Sequence, residues 1–285
     1  MCHARWFRAN DTKAAVMDVD GIIDLGMPPA GLRGKVALVT GTSRRRSIGA
    51  AVCRAFAVCG ADLFFTYWRD FDRRTWYPDE EGPAAIEADI RRLGVRVASL
   101  EADLSDLETP ARILNETVAR LGIPSILVNA ATHHADMPRL RTIDELTADG
   151  LDMAYAINIR GMALLTAEFV RRYPGGPGGR IINLTSGQSL GAMPDALAYA
   201  TTKGAVEAFT SSLAPSVAGK GITVNAVDPG GTDTDWITEE QKTVWTAEMA
   251  MGRIGQPEDA ARLIAFLASD AGKWITGQVI HSRGA

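Results

Sequence analysis

Ser186, Tyr199 and Lys203 are the residues whose types and spacing most directly suggest chemistry. Tyr199 and Lys203 stand four positions apart, so on a helix they share one face, one turn apart. An ammonium group beside a phenol favours the phenolate and lowers a pKa that is ordinarily about 10. With a serine hydroxyl nearby to hold a carbonyl oxygen, the three side chains indicate reduction of a ketone or oxidation of an alcohol.

The spacing alone also fits an ordinary surface helix that carries a solvated lysine and a half-buried tyrosine. The chemical interpretation requires a hydride carrier, because side chains supply protons and orientation while the hydride comes from a cofactor. The rest of the chain must therefore provide a site for such a cofactor.

Apolar segments alternate with amphipathic segments from residue 34 onward, which predicts βαβ units and a parallel sheet. The predicted strands are 35–40, 62–67, 96–101, 124–129, 180–185, 222–227 and 277–281, and the predicted helices are 48–59, 83–93, 106–121, 142–172, 197–218, 237–250 and 257–268. These elements predict an α/β doubly wound Rossmann fold, which is a seven-stranded parallel sheet with helices on both faces. Residues 1–33 lack a clear period, so we expect an N-terminal extension outside a single domain at 34–285.

The composition is typical of a soluble globular protein, with 46% hydrophobic and 22% charged residues. A net charge of −4 argues against a dedicated nucleic-acid-binding protein. Cys2, Cys53 and Cys59 have neither metal-ligand spacing nor the even number of a disulfide framework, which fits a reducing cytoplasm. We see no signal peptide and no apolar stretch of about 18 residues, so no membrane association is predicted.

The segment Thr40–Gly49 follows the first predicted strand and leads into a helix. Gly41 allows a tight turn, Gly49 allows the helix to pack closely on the strand, and Ser47 can cap the helix. A helix N-terminus favours an anion such as a pyrophosphate. An ordinary strand-to-helix turn would look similar.

Residues 34–285 resemble the short-chain dehydrogenase/reductase family, because several landmarks occur in the family's order. Thr40–Gly49 resembles its TGxxxGxG loop, although it is two residues longer and Ser47 replaces the middle glycine. Further matches are Asp103 and Leu104 for the acidic position that meets the adenine, Asn129 and Ala130 in a reduced Asn-Asn-Ala-Gly segment, Asn158 for the active-site asparagine, Ser186, Tyr199 and Lys203 for the catalytic positions, and Pro229-Gly230 with Thr232 and Thr234 for the turn that clasps the nicotinamide.

The resemblance implies a role for each matching residue. Tyr199 is expected to be the acid in reduction and the base in oxidation, Lys203 to bind the nicotinamide ribose and lower the Tyr199 pKa, and Ser186 to hold the substrate oxygen. Asn158, at a local helix irregularity, is expected to position a water that links Lys203 to solvent. Gly41, Ser43, Arg44, Ser47 and Ile48 are expected to contact the cofactor in the glycine-rich loop.

Two departures from the family pattern concern the cofactor site. The spacing from Gly41 to Ser47 is similar to that of enoyl-carrier-protein reductases in the same superfamily. Those enzymes place their tyrosine seven residues before the lysine, as Tyr-x6-Lys, and the residue seven positions before Lys203 here is Ala196. The segment from Asn129 to Thr132 lacks the second asparagine, so we expect backbone contacts from Asn129 and Ala130 only.

NADP(H) is favoured over NAD(H) by the end of the second strand, which lacks the acid that usually holds a ribose 2′-hydroxyl. Arg44 and Arg69 could instead grip a 2′-phosphate, which arginine can do with two hydrogen bonds. Solvated surface arginines would give the same sequence, and Asp70 could reach the ribose after a shift of one residue.

Other residues near these motifs allow weaker predictions. His133 and His134 are adjacent, point to different faces and have no third ligand, so no metal site is predicted. Trp236, Trp245 and Met193 could form a substrate wall or pack a small lid.

We expect an NADPH-dependent reductase of a ketone or 3-oxoacyl-type carbonyl, acting on a small molecule or an acyl thioester. An NAD-dependent alcohol or sugar dehydrogenase and a non-catalytic dinucleotide-binding sensor remain alternatives. The resemblance implies a homodimer or homotetramer, because in this family helices such as 142–172 and 197–218, which carry small and apolar residues here, pack against a partner subunit. Lys220, Arg171 and Arg172 could dock an acidic carrier protein or be solvated surface cations.

Overall fold

The computed structural model describes residues 31–75, 82–134, 143–235 and 237–284. Its strands are β1 (Val36–Val39), β2 (Asp62–Tyr67), β3 (Val97–Glu101), β4 (Ile126–Asn129), β5 (Gly179–Leu184), β6 (Ile222–Asp228) and β7 (Val279–His281). They form a parallel sheet in the order β3-β2-β1-β4-β5-β6-β7. The predicted doubly wound fold is confirmed, and each predicted strand overlaps one of these strands.

The helices described are α1 (Ile48–Val58), α2 (Arg69–Thr75), α3 (Pro83–Arg92), α4 (Thr109–Arg120), α5 (Ala148–Tyr155), α6 (Met162–Arg172), α7 (Leu197–Val217), α8 (Glu239–Glu248) and α9 (Pro257–Ala268). The short helix α2 was not predicted. The described helices include none that is both long and apolar enough to cross a membrane.

The single helix predicted over 142–172 is wrong in detail. A short 3-10 turn at Ile143–Glu145 comes first, and α5 then begins after Thr147, whose side chain accepts a hydrogen bond from the Gly150 N–H. Between α5 and α6 lies a π-helical turn, Ala156–Gly161. At its end the chain passes so close to the Leu104 carbonyl oxygen that a Cβ on Gly161 would collide with it.

The inner strands β1, β4, β5 and β6 are buried on both faces because helices cover the sheet on both sides, whereas the edge strands β3 and β7 are half-buried. Neighbouring residues of one strand point to opposite faces, so Leu38 and Phe64 pack into one core with Phe169 of α6. Val39 and Phe65 pack into the other core, which includes residues of α1 and α9.

The strand order places β1 between β2 and β4, so the chain returns across the sheet after β3. Ligands of doubly wound proteins bind outside the carboxyl ends of the strands at this reversal. Residues 1–30 lie outside the described residues, and the domain boundary near residue 33 stays a prediction. Leu32, within the predicted extension, is fully buried in the core.

Candidate active site

The carboxyl ends of β1 and β4 are tied together by a threonine hydroxyl. Thr40 Oγ1 accepts hydrogen bonds from the N–H groups of Ala130 and Ala131, both at 3.1 Å. Gly41 has a left-handed backbone (φ +74°), and a Cβ there would lie 2.7 Å from the Ala130 carbonyl oxygen. Only glycine therefore fits at position 41. The role of Thr40 was missed in the sequence.

Ser47 caps α1, as predicted: its hydroxyl accepts a hydrogen bond from the Ala50 N–H at 3.1 Å. A Cβ on Gly49 would lie 2.6 Å from Thr42 Oγ1, so the first turn of α1 packs tightly on the loop before it. Ile48, the first residue of α1, packs against the hydrophobic core. The helix therefore starts at the sheet reversal, where its N-terminal N–H groups favour an anion.

Arg44 and Arg69 are both brought to the end of β2, around a carboxylate that was not predicted. Arg44 Nε lies 3.3 Å from Asp72 Oδ1. The pKa of Asp72 is raised overall, because burial outweighs the hydrogen bond with Ser43 and the charges of Arg44 and Arg69, which lower it. Ser43 Oγ also accepts the Trp68 N–H at 3.2 Å. Two arginines and one acid thus lie where a ribose 2′ substituent is expected.

A group of ion pairs, which we call the arginine latch, joins the glycine-rich loop to segment 232–235. Arg46 lies 3.1 Å from Asp233 Oδ2 and 3.3 Å from Asp235 Oδ1, and Lys242 of α8 also contacts Asp233 at 3.1 Å. Arg44 donates a hydrogen bond to the Thr234 carbonyl. The loop predicted to hold the phosphates is therefore fastened to the segment predicted to hold the nicotinamide.

The predicted residues at the ends of β3 and β4 lie close to the π-helical turn or inside the core. Asp103 accepts the Ser105 N–H at 2.8 Å, and Leu104 is buried against Gly161. Asn129 points inward: Nδ2 donates to Asn183 Oδ1 at 2.8 Å and to a threonine of α6. The Asn129 side chain therefore joins β4 to β5.

Asn158 lies in the π-helical turn, which is the helix irregularity expected there. Its Oδ1 accepts the His133 N–H at 2.6 Å and the Thr132 hydroxyl at 3.2 Å. Its Nδ2 donates to the His133 carbonyl at 2.9 Å and to Thr202 Oγ1 at 3.0 Å. The side chain therefore connects the segment after β4 to α7, one residue before Lys203.

Ser186, Tyr199 and Lys203 come together at the end of β5 and the start of α7. Lys203 is 3% exposed, lies over the Tyr199 ring with Nζ 5.6 Å from the ring centre, and donates to the Leu184 carbonyl at 2.8 Å. Burial lowers the pKa of Lys203 to about 8. Tyr199 is half-buried, and its phenol lies close enough to Ser186 for that hydroxyl to lower its pKa.

The pKa of Tyr199 differs from the expectation. Burial raises it, the nearby Ser186 hydroxyl lowers it and the Asp228 carboxylate raises it, so the net shift is upward. Lys203 was expected to lower this pKa. In the structure its ammonium group faces the ring and donates a hydrogen bond to the Leu184 carbonyl, and Lys203 is not among the groups that shift the Tyr199 pKa.

The turn Pro229-Gly230 is held by Asp228, a fully buried residue that the sequence reading missed. Asp228 Oδ1 accepts the Gly230 N–H at 2.9 Å, and Gly230 has a left-handed backbone (φ +67°). Asp228 Oδ2 lies 2.9 Å from His281 Nδ1 and 3.8 Å from Arg283 Nε. Thr232 Oγ1 donates to the Pro229 carbonyl at 3.1 Å.

His133 and His134 pack against Phe71 of α2, with ring centres 5.5 Å and 5.7 Å apart. Burial lowers the pKa of His134 to about 4. Within the described residues no group of His, Cys, Asp and Glu could hold a metal ion. Trp245 of α8 lies 3.4 Å from where a Cβ on Gly231 would stand, whereas Trp236 lies outside the described residues.

Met193 is half-buried in the segment before α7. The cations considered for carrier docking are already engaged: Lys220 donates to the Val170 carbonyl, and Arg171 and Arg172 pair with Glu168.

One family profile and many known proteins match this chain. The profile described as enoyl-(acyl carrier protein) reductase matches residues 41–284. Uncharacterized oxidoreductase YjdA of Bacillus subtilis is 47% identical over 252 residues, 88% of this chain and 96% of that protein. The NADPH-dependent aldehyde reductase-like protein, chloroplastic, of Arabidopsis thaliana is 33% identical over 91% of this chain and 97% of that protein. A solved short chain dehydrogenase from Burkholderia cenocepacia, in complex with NADP, is 32% identical and has a TM-score of 0.77. The match covers 89% of this chain and 98% of that chain.

Proposed function

Because the chain belongs to the short-chain dehydrogenase/reductase family and is an NAD(P)-dependent oxidoreductase, we propose that it reduces a ketone or 3-oxoacyl-type carbonyl with NADPH. The observation that carries the proposal is the group of three side chains at the end of β5. The Ser186 hydroxyl is near enough to lower the pKa of the Tyr199 phenol, and Lys203 lies over the Tyr199 ring. A candidate oxygen anchor, a candidate acid and a cation are thus grouped around one ring.

Two features at the sheet reversal support a dinucleotide site there. Gly41 allows the loop to approach Ala130 closely, and α1 begins at the same edge, where a diphosphate would meet its N-terminal N–H groups. In this proposal Lys203 and the turn Pro229-Gly230 hold the nicotinamide end, and Asp103 the adenine. When bound, NADPH supplies the hydride that reduces the carbonyl carbon.

The chain's own residues supply the proton. The Ser186 hydroxyl donates a hydrogen bond to the carbonyl oxygen, and Tyr199 transfers its proton to that oxygen as the alcohol forms. The raised pKa keeps the Tyr199 phenol protonated at neutral pH, which suits a donor. The Lys203 ammonium stabilises the phenolate that remains until solvent returns a proton. Asn158 holds the start of α7 in position for these steps.

NADPH is the proposed donor because Arg44 and Arg69 lie together at the end of β2. The names of the Arabidopsis relative and the Burkholderia structure, which mention NADPH and NADP, support the same choice. Asp72 supports the second candidate, an NAD-dependent alcohol or sugar dehydrogenase, because a carboxylate there could accept a hydrogen bond from a ribose 2′-hydroxyl.

A substrate panel tests the proposal. Purified enzyme is given NADPH or NADH with ketones, aldehydes and acetoacetyl thioesters, and cofactor consumption is followed by absorbance with mass spectrometry of the alcohol. We expect carbonyl-dependent consumption of NADPH. Faster turnover with NADH and an alcohol product would favour the second candidate, and no consumption with any carbonyl would contradict both.

A further inference from the structure

A guanidinium group lies beside the proposed oxygen anchor. Arg283 follows β7 by two residues, and its Nη1, Cζ and Nη2 lie 2.6, 3.0 and 3.2 Å from the point where a Cβ on Gly187 would stand. The similar distances show that the guanidinium plane faces Gly187, so a side chain at this position would displace it. Gly187 directly follows Ser186. The cation therefore lies against the residue that follows the proposed oxygen anchor.

The backbone that carries Arg283 is fixed on both sides. The Ser282 N–H donates to the Asp228 carbonyl at 2.7 Å, and the Met251 N–H donates to the Gly284 carbonyl at 3.2 Å. Beneath it, a Cβ on Gly230 would lie 3.0 Å from the Arg283 Cα. The arginine therefore stands in a defined place between the Pro229-Gly230 turn and Gly187.

The donors of this guanidinium are hardly used by the part of the chain that the structure describes. Its charged partner there is Asp228, and the 3.8 Å between Arg283 Nε and Asp228 Oδ2 is too long for a hydrogen bond. Asp228 is satisfied by the Gly230 N–H and His281 Nδ1, both at 2.9 Å. The Arg283 side chain is 32% exposed. Asp228 thus attracts the Nε side, and the Nη1 and Nη2 donors remain for a ligand.

Resting on the proposed reductase function, we propose that Arg283 binds a carboxylate of the substrate, so that the enzyme acts on oxo acids. A carboxylate matches the arginine fork with two parallel hydrogen bonds, whereas a neutral ketone leaves the guanidinium without a partner. Because Gly187 adjoins Ser186 in the chain, we expect the carboxylate to lie close to the reacting carbonyl, as it does in 2-oxo and 3-oxo acids.

The test compares acids with their neutral esters. Acetoacetate and 2-oxobutanoate, each beside its methyl ester, are assayed with NADPH in the wild type and in Arg283→Gln, Arg283→Lys and Gly187→Ala. We expect the wild-type kcat/KM to favour each acid by roughly 10- to 100-fold, the range of one charge-assisted pair. Arg283→Gln should remove most of this preference through KM, and Arg283→Lys should keep part of it.

Two variants serve as controls. Gly187→Ala keeps the charge but puts a methyl group where the guanidinium lies, so it should lower the acid preference and can replace Arg283→Gln if that variant folds poorly. Arg92→Gln removes an exposed cation of α3 that pairs with Asp89, and should leave the preference unchanged. A merely structural role of Arg283 would change acids and esters alike.

The outcomes that overturn this inference differ from those that overturn the proposed function. Equal acid-to-ester ratios in the wild type and Arg283→Gln, or an acetoacetyl thioester used better than both acids, overturn the carboxylate site and leave the reductase intact. If no carbonyl consumes NADPH, the proposed function fails. In that case calorimetry of acetoacetate binding to the enzyme with NADP⁺ tests the carboxylate site separately. Equal affinity in the wild type and Arg283→Gln overturns the carboxylate site.

Discussion

The Lys203 ammonium lies over the face of the Tyr199 ring, with Nζ 5.6 Å from the ring centre. Its hydrogen bond goes to the Leu184 carbonyl of β5, while the nearby Ser186 hydroxyl lowers the pKa of the Tyr199 phenol. The lysine therefore fixes the ring relative to the sheet. The residue proposed to hold the substrate oxygen, Ser186, is thus also the neighbour that favours the phenolate.

Replacing Tyr199 with Phe should lower kcat by at least about 100-fold, since acid–base groups contribute roughly 10²–10⁴-fold. The ring and its packing remain, so the affinity for NADPH, measured by fluorescence titration, should change little. Tyr155→Phe, at an exposed position of α5, is the matched control. More than about a tenth of the wild-type kcat in Tyr199→Phe would refute the proton-donor role.

The two arginines around Asp72 should determine the cofactor preference. Arg69→Ala and Arg44→Ala should each weaken NADPH more than NADH, by about 10- to 100-fold in KM, because a charge-assisted contact contributes roughly 1.5–3 kcal/mol. Arg92→Ala, on the exposed face of α3, is the control. Equal KM values for the two cofactors in the wild type would contradict the prediction.

The low pKa of Lys203 should make stability depend on pH. The pKa is about 8 in the folded chain and ordinarily 10.5, so between these values the unfolded chain binds the additional proton. The contribution of Lys203 to the unfolding free energy therefore rises as the pH rises from about 8 toward 10.5. Cys53, whose pKa burial raises to about 12, acts in the opposite direction and is present in both proteins when wild type is compared with Lys203→Met.

Urea unfolding of the enzyme without added cofactor measures this effect. The stability of the wild type minus that of Lys203→Met should increase by on the order of 2 kcal/mol between about pH 8 and about pH 10. A difference that stays constant or falls would show that the ammonium group is not desolvated in solution.

Deleting residues 1–26 should leave a folded and active enzyme, because this segment shows no periodic apolar face and precedes the first predicted strand. Leu32, which is buried, stays in the shortened chain. Melting temperature and kcat of the two proteins are compared. A large fall in melting temperature would mean that the segment belongs to the core.

The sequence predicted the sheet well because its signal is local. Each strand is a short apolar run between turn residues, and both faces of the sheet are covered, so periodicity and length suffice. Helix α2 was missed because its seven residues carry no apolar stripe. An irregularity at Asn158 was expected from the family resemblance, but its π-helical form and the close approach of Gly161 to Leu104, a contact between distant segments, have no local signal in the sequence.

The same distinction applies to the candidate site. Tyr199 and Lys203 could be found because their spacing on one helix is itself the signal. The hydrogen bond from Ala130 to Thr40 joins residues 90 positions apart, and that between Asp228 and His281 joins residues 53 positions apart. No local pattern marks such pairs. For Asp228 and His281, the sequence offers one signal, an acid directly before the Pro229-Gly230 turn.

The arginine latch has a kinetic consequence. A dinucleotide placed as proposed lies between the glycine-rich loop and segment 232–235, so its entry and exit require ion pairs such as Arg46–Asp235 to part. Asp235 has a left-handed backbone (φ +66°) that costs a non-glycine residue roughly 1 kcal/mol, and the latch holds it there. Both side chains are partly exposed, so dissolved salt screens their attraction. Raising the ionic strength should therefore shorten the residence time of the cofactor and leave the rate of hydride transfer unchanged.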